Sequence, residues 1–261
     1  MATGQDIERR NHILGFKEEI AKAAEISNDF FFTWFDSATD KDSAFQKGER
    51  DFLIHIANPF LSNCSSPEEK VALEIGYGGG RLLAAGSKFF KKVIGIDIHE
   101  MEKRVDAELR ERGISNFELY RSDGEKIPVN ENSVDVVYSF IVLQHVEKIQ
   151  IFRELLKESY RVLKPNGIAI IYFGRCYLFS IGSNNRMLYF LDNVIEKYSL
   201  RKGYKEIKAP VNCTNLKISL DFAKKICSDI GFEVVCKLIS YKDSSDQNYL
   251  FGGQHGLVLK K

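Results

Sequence analysis

Between residues 71 and 173 the chain alternates short apolar runs with longer amphipathic ones, and this rhythm restricts the fold more than any other feature. VALEI (71–75), KVIGIDI (92–98), NFELYRS (116–122), VDVVYSF (134–140) and GIAIIYF (167–173) read as buried strands. GGRLLAAGSKF, EKRVDAELRERG and IQIFRELLKESYRVL read as the helices between them, the last stopped by KPNG. Strand–helix alternation at this spacing implies a parallel sheet covered on both faces. Right-handed crossovers then bring the strand C-termini to one edge.

The flanking segments differ in character. Residues 5–35 carry apolar positions at helical spacing and an aromatic cluster, Phe30 to Phe35, that either covers the site or is plain core. A second helix is expected over 43–57, and SNCSSPEEK (62–70) reads as a polar linker. Beyond the fifth strand, 174–217 breaks the rhythm with an amphipathic helix, RMLYFLDNVIEKY (186–198), which has Met187, Phe190, Leu191, Val194, Ile195 and Tyr198 on one side. SLDFAKKICSDIG, FEVVCKLISY and HGLVLKK follow as a helix and two strands. The expected fold is α/β, a doubly wound, mostly parallel seven-stranded sheet with helices on both faces. Its parts are an N-terminal helical segment (1–65) and a Rossmann-like domain (66–261) with a lid-like insertion at 174–217.

The 37 basic and 36 acidic residues balance, which argues against a polyanion-binding surface and hence against nucleic acid as a partner. Five scattered cysteines without CxxC spacing argue against disulfides or zinc. The polar start MATGQDIERRNH is not a secretory signal, and no apolar run approaches the ~20 residues of a membrane span. A reducing, cytoplasmic setting without a membrane partner is expected.

The loop after the first strand is EIGYGGGR. Glycines let a backbone turn tightly and approach a ligand closely. Gly76, Gly78 and then Arg81 give G-x-G-x-x-R, so the third glycine of a dinucleotide loop is missing, and the G-K-[ST] ending of a phosphate loop is absent as well. What remains is E-x-G-x-G-x-G, formed by Glu74, Gly76, Gly78 and Gly80.

That pattern, with GIDI, RSDGEKIP, NSVDVVYSFIVLQHV and FRELLKESYRVLKPNGIAII after it in order, resembles class I S-adenosylmethionine (SAM)-dependent methyltransferases over roughly residues 70–174. The resemblance implies SAM as cofactor and S-adenosylhomocysteine as product. It implies Asp97, with Ile98, at the ribose, Asp123 and Gly124 at adenine, and Phe140 and Ile141 covering the cofactor. The chemistry agrees: a carboxylate accepts from two ribose hydroxyls, and Glu74 lends negative potential near the methionine ammonium. Helix capping by Asp97 and an ordinary turn at Asp123 are the plainer alternatives. Asp135, at the start of a strand, reads as structural.

Methyl transfer from a sulfonium is a displacement that needs chiefly alignment and desolvation, and an oxygen acceptor also needs a base. The resemblance puts LQHV beside the substrate mouth, which makes His145 the candidate catalytic base, with a hydrogen-bonding structural role as the equal alternative. Gln144, Tyr177 and His255 are weaker candidates for acceptor contacts. No metal-ligand set is recognisable. The expected activity is metal-independent methylation of a small molecule at a hydroxyl oxygen, on a sugar or another biosynthetic metabolite. An N-methyltransferase and a non-catalytic SAM-binding partner remain open, as does a homodimer with its contact in the region 174–217.

Overall fold

Unbroken apolar strands must be covered on both sides, and the sheet meets that demand. The computed structural model describes residues 15–35, 38–242 and 249–261. Among these, nine strands form one sheet. β1 (Val71–Ile75) lies between β2 (Lys92–Asp97) and β4 (Val134–Ser139); β3 (Phe117–Arg121) flanks β2, and β5 (Leu163–Gly174) flanks β4, all parallel. β9 (Leu250–Lys260) then runs antiparallel against β5, and β8 (Glu233–Lys242) against β9. These are the seven expected strands. Two short ones in the insertion, β6 (Tyr204–Glu206) and β7 (Leu216–Ile218), were not legible.

Side chains alternate across the sheet because strand residues point to opposite faces in turn. Ala72, Val136 and Tyr138 enter one core with Phe31, Phe52 and Phe60. Leu73, Val137 and Ile171 enter the other with Phe152, Leu155 and Leu156. The helices covering the sheet are α5 (Arg81–Phe89), α6 (Glu102–Glu111), α7 (Ile149–Val162) and α9 (Leu220–Ile230), the last ending at Gly231 with φ 117°. The KPNG stretch is not a free turn. It lies within β5, where a register shift against β4 absorbs it and Asn166 takes φ 65°.

The expected N-terminal helix is broken. Its described part forms α1 (Phe16–Ile26) and α2 (Asn28–Trp34), separated by Ser27, whose hydroxyl accepts the Phe30 N–H. Residues 5–14 of that expectation lie outside the described residues. α3 (Lys41–Phe52) starts at the Asp40 cap, and the helical path continues through Ala57 to α4 (Asn58–Leu61). Arg81 in the first turn of α5 meets Asp51 of α3 at 2.6 Å, and Lys41 meets Glu108 of α6 at 2.7 Å, so this segment is fastened beside the glycine loop. α8 (Arg186–Ser199) matches its expected span within a residue.

Candidate functional site

β1 ends at Glu74-Ile75, and the chain turns away through Gly76, at φ 79°, with its N–H on the Ile96 carbonyl at 2.8 Å. A Cβ on Gly76 would run into the Val142 side chain, so the loop after β4 presses on this residue. Gly78, at φ 51°, has the Phe35 ring where its Cβ would point, at 3.0 Å. Left-handed backbone at both positions favours glycine.

Asp97 ends β2 next to this loop. One carboxylate oxygen accepts the Gly78 N–H at 2.8 Å, and the other accepts the Ile98 N–H at 2.7 Å. The acid thus holds the glycine turn to the second strand and keeps lone pairs for a further donor. His99 completes the brace, its Nε2 lying 3.0 Å from the Gly78 carbonyl while its Nδ1 accepts the Met101 N–H.

Glu74 is buried with the Tyr138 hydroxyl donating to it at 3.0 Å. Burial pushes its carboxyl up to about 8, against the pull of that hydrogen bond. After β4, Phe140 and Ile141 line the same cavity, and Ile141 sits at φ 60°. A β-branched residue there is strained, by on the order of 1–2 kcal/mol.

One cavity joins these groups. Of the candidates from the sequence, Glu74, Gly76, Gly78, Asp97, Ile98, Gly124, Phe140, Ile141 and His145 line it. Gly80 does not: it caps α5 and packs on Val105 and Leu109. Asp123 is exposed and folds back onto the Glu125 and Lys126 N–H groups, the turn alternative. Gln144, Tyr177 and His255 are also outside the lining. Tyr177 packs with Arg175 and Lys217, and His255 is fully buried in β9 with Nε2 on Glu196 at 3.0 Å. Asp135 accepts from the Val71 N–H and from Lys164, as a structural acid would.

His145 is buried, with Nδ1 2.8 Å from the Cys213 carbonyl and Nε2 3.1 Å from the Gln144 amide nitrogen. Burial holds its ring below the ordinary histidine range. A neutral ring therefore donates from Nδ1 and accepts at Nε2, and the Gln144 carbonyl accepts from the Gln254 amide at 3.0 Å.

Of the opposite wall, the sequence reading left open whether Phe30 to Phe35 covers the site, and it missed the rest. Phe16 and Ile20 of α1, Phe32 of α2, Phe35 and Phe45 roof the cavity, and Ser122 and Asn212 add hydroxyl and amide groups. Ser122 had a signal, its place beside Asp123 after β3. Phe16 had none, being 58 residues from Glu74 in the chain.

A family model described as "Methyltransferase domain" matches residues 73–171. This stretch contains the glycine loop, both acids and the loop after β4. Over these residues the chain is similar to a methyltransferase domain. The sterol 4-C-methyltransferase strm-1 of Caenorhabditis elegans is 30% identical over 102 residues, covering 38% of this chain and 30% of that protein. A malonyl-acyl-carrier-protein O-methyltransferase of Marinomonas is 26% identical over 160 residues, covering 60% and 52%. The matches thus span about a third to a half of these curated relatives.

Solved structures share the methyltransferase fold over most of the chain. YcgJ of Bacillus subtilis superimposes with TM-score 0.53 at 14% identity, covering 80% of this chain and 97% of that one. A SAM-dependent methyltransferase of Aquifex aeolicus gives 0.53 at 19% identity, covering 84% and 97%. The cyclase SpnF gives 0.55 at 14% identity, covering 86% and 84%, so the fold by itself does not set the reaction.

SAM is the cofactor that the resemblance implies, and the residues present fit it. The polar groups on the cavity include two carboxyls, a serine hydroxyl, the Asn212 amide, the His145 ring and backbone N–H groups, and the arginine among them is bound to Asp51. Such a set suits a cation with sugar hydroxyls rather than a phosphate. Among the described residues no helix is long and apolar enough to cross a membrane.

Proposed function

We propose that this protein transfers a methyl group from SAM to a hydroxyl oxygen of a small molecule without a metal ion. The observation that carries the reading is the convergence of Glu74, Asp97 and the left-handed glycine turn on one cavity. When bound, SAM supplies a methyl on a sulfonium, whose departure needs no acid. Asp97 would accept from the ribose hydroxyls, and Glu74 would balance the ammonium group. Gly124 and Ser122 would border the adenine. Phe140, Ile141 and the aromatic roof would keep water from the reacting atoms.

His145 is proposed as the base. Its ring is neutral near pH 7, the state a base requires, and Nδ1 is anchored on the Cys213 carbonyl. The acceptor hydroxyl would displace the Gln144 amide from Nε2 and pass its proton there. The cavity that His145 lines also has Phe16, 5.4 Å from its ring, Ile20 and Val142 in its wall. A free sugar would leave hydroxyls unpaired against those groups, at a cost of ~1–3 kcal/mol each. A hydroxyl carried on a largely apolar body fits better. The relatives' names range from a sterol to malonyl-acyl carrier protein, so they select no acceptor. A cytoplasmic location belongs to the same reading.

Calorimetric titration with SAM, S-adenosylhomocysteine and NAD tests the cofactor, and acceptor-dependent release of S-adenosylhomocysteine tests the transfer. Binding of NAD but not SAM would defeat the reading. Tight SAM binding with no transfer to any hydroxyl or amine acceptor would leave a binding protein.

A further inference from the structure

α8 is inverted relative to an ordinary surface helix. Its apolar positions Met187, Phe190, Leu191, Val194 and Tyr198 follow i, i+3, i+4, i+7, i+11 spacing, and all face solvent. Met187 is 71% exposed, Phe190 64% and Tyr198 76%. Leu178 and Phe179, in the loop that α8 holds, are exposed as well and extend the patch.

The two buried residues of this helix are both acids. Asp192 is fully buried and accepts the N–H groups of Leu178, Phe179 and Ser180 and the Ser180 hydroxyl. Glu196, buried too, accepts from the Cys176 and Leu220 N–H groups and pairs with His255. Turning the stripe inward would strip these N–H groups of their acceptors and expel two carboxylates from fitted sites, so the orientation is locked.

Because both acids are turned inward, the exposed charge on this segment has one sign. Asp192 and Glu196 are the acids between residues 174 and 205, whereas Arg186, Lys197, Arg201 and Lys202 are exposed. The nearby Asp221 is paired with Lys224 at 2.8 Å. An apolar stripe with basic groups at its ends is the pattern of a helix lying in a lipid interface, where the stripe enters the acyl boundary and the cations meet anionic headgroups. A second copy of the chain, brought face to face, would oppose arginine and lysine with arginine and lysine.

We propose that α8 is a docking surface for an anionic lipid bilayer. The absence of a membrane-crossing helix among the described residues bears on spanning, not on lying at the surface. The proposal rests on α8 alone and stands or falls apart from methyl transfer.

The test is co-sedimentation of the full chain with vesicles of phosphatidylcholine, with and without phosphatidylglycerol. Binding should be at least about tenfold stronger to the anionic vesicles and weaken with salt. The double variant Met187→Glu/Phe190→Glu should abolish it. The triple variant Lys197→Glu/Arg201→Glu/Lys202→Glu should remove the preference for anionic lipid. Every substituted side chain is exposed, and unchanged circular dichroism and SAM titration would show that the fold survives. No binding of the parent to anionic vesicles overturns the proposal, as does binding that persists in the double variant. It is overturned equally if sedimentation equilibrium without lipid shows a dimer that the double variant dissociates, which would make the stripe an interface between copies.

Discussion

The Tyr138 hydroxyl donates to the Glu74 carboxylate at 3.0 Å, and both side chains are buried between β1 and β4. Burial outweighs both the Tyr138 hydrogen bond and the charge of Arg81, so this carboxyl keeps its proton to about pH 8. The folded protein therefore holds a proton that the unfolded chain, with an ordinary glutamate near 4.5, gives up. Stability should fall as pH rises from about 4.5 to 8, by at most about 1.4 kcal/mol per unit, and be level in this respect outside that window. Urea unfolding across pH should show this slope, and Glu74→Gln should flatten it. Because a bound cation favours the carboxylate, SAM binding at neutral pH should release a proton, seen as a buffer-dependent calorimetric heat. Glu74→Gln should remove that release.

Asp97 takes one N–H bond from the glycine turn, at Gly78, and one from Ile98 beside it. Asp97→Ala leaves those donors unpaired and removes the proposed ribose acceptor. Affinity for S-adenosylhomocysteine should drop by about tenfold to a hundredfold, with a loss of stability of about 1–3 kcal/mol. Titration and denaturation of the same sample would separate the two effects. An affinity within twofold of the parent would exclude Asp97 from the ribose site.

At Ile141 the usual order of substitutions should reverse. Ile141→Ala loses apolar contacts and keeps the strain at φ 60°, while Ile141→Gly loses the contacts and relieves the strain. The glycine variant should be the more stable of the two by about 1 kcal/mol, measured by urea midpoint at equal slope. In ordinary helix or strand backbone the alanine variant would win.

His145→Ala should lower kcat by about a hundredfold or more while SAM affinity changes little. Gln144→Ala, which frees Nε2 of its amide donor, should cost far less. With the ring held below the ordinary histidine range, the acid limb of the parent's pH profile should lie below about 6.5. A rate within tenfold of the parent in His145→Ala would reduce the ring to part of the cavity wall.

The parallel strands and the glycine turn were legible because local chemistry dictates them. VALEI and KVIGIDI have no polar face to offer water, and a left-handed turn next to Val142 selects glycine wherever it occurs. Asp97 reached the cavity as expected because the end of β2 lies beside the end of β1 in any such sheet. Only part of the cavity roof was legible, since Phe32 and Phe35 belong to the cluster read as either a cover or plain core. Phe16 and Phe45 arrive through tertiary packing, and nothing in their neighbourhoods distinguishes a roof from a core. The stripe on α8 was correctly grouped, but periodicity does not say which way a stripe points. Asp192 and Glu196 decide that through N–H groups that lie up to 24 residues away in the chain.

β9 is wedged between β5 and β8, pairing antiparallel with each from Ile168 to Gly174 and from Glu233 to Lys242. On a ribosome, β1 to β5 emerge complete while the outer edge of β5 waits for β9, which begins 76 residues after Gly174. Until β9 is available, β5 presents open peptide groups from Ile168 to Phe173, and the nascent chain needs either speed or a chaperone to pass that interval unaggregated.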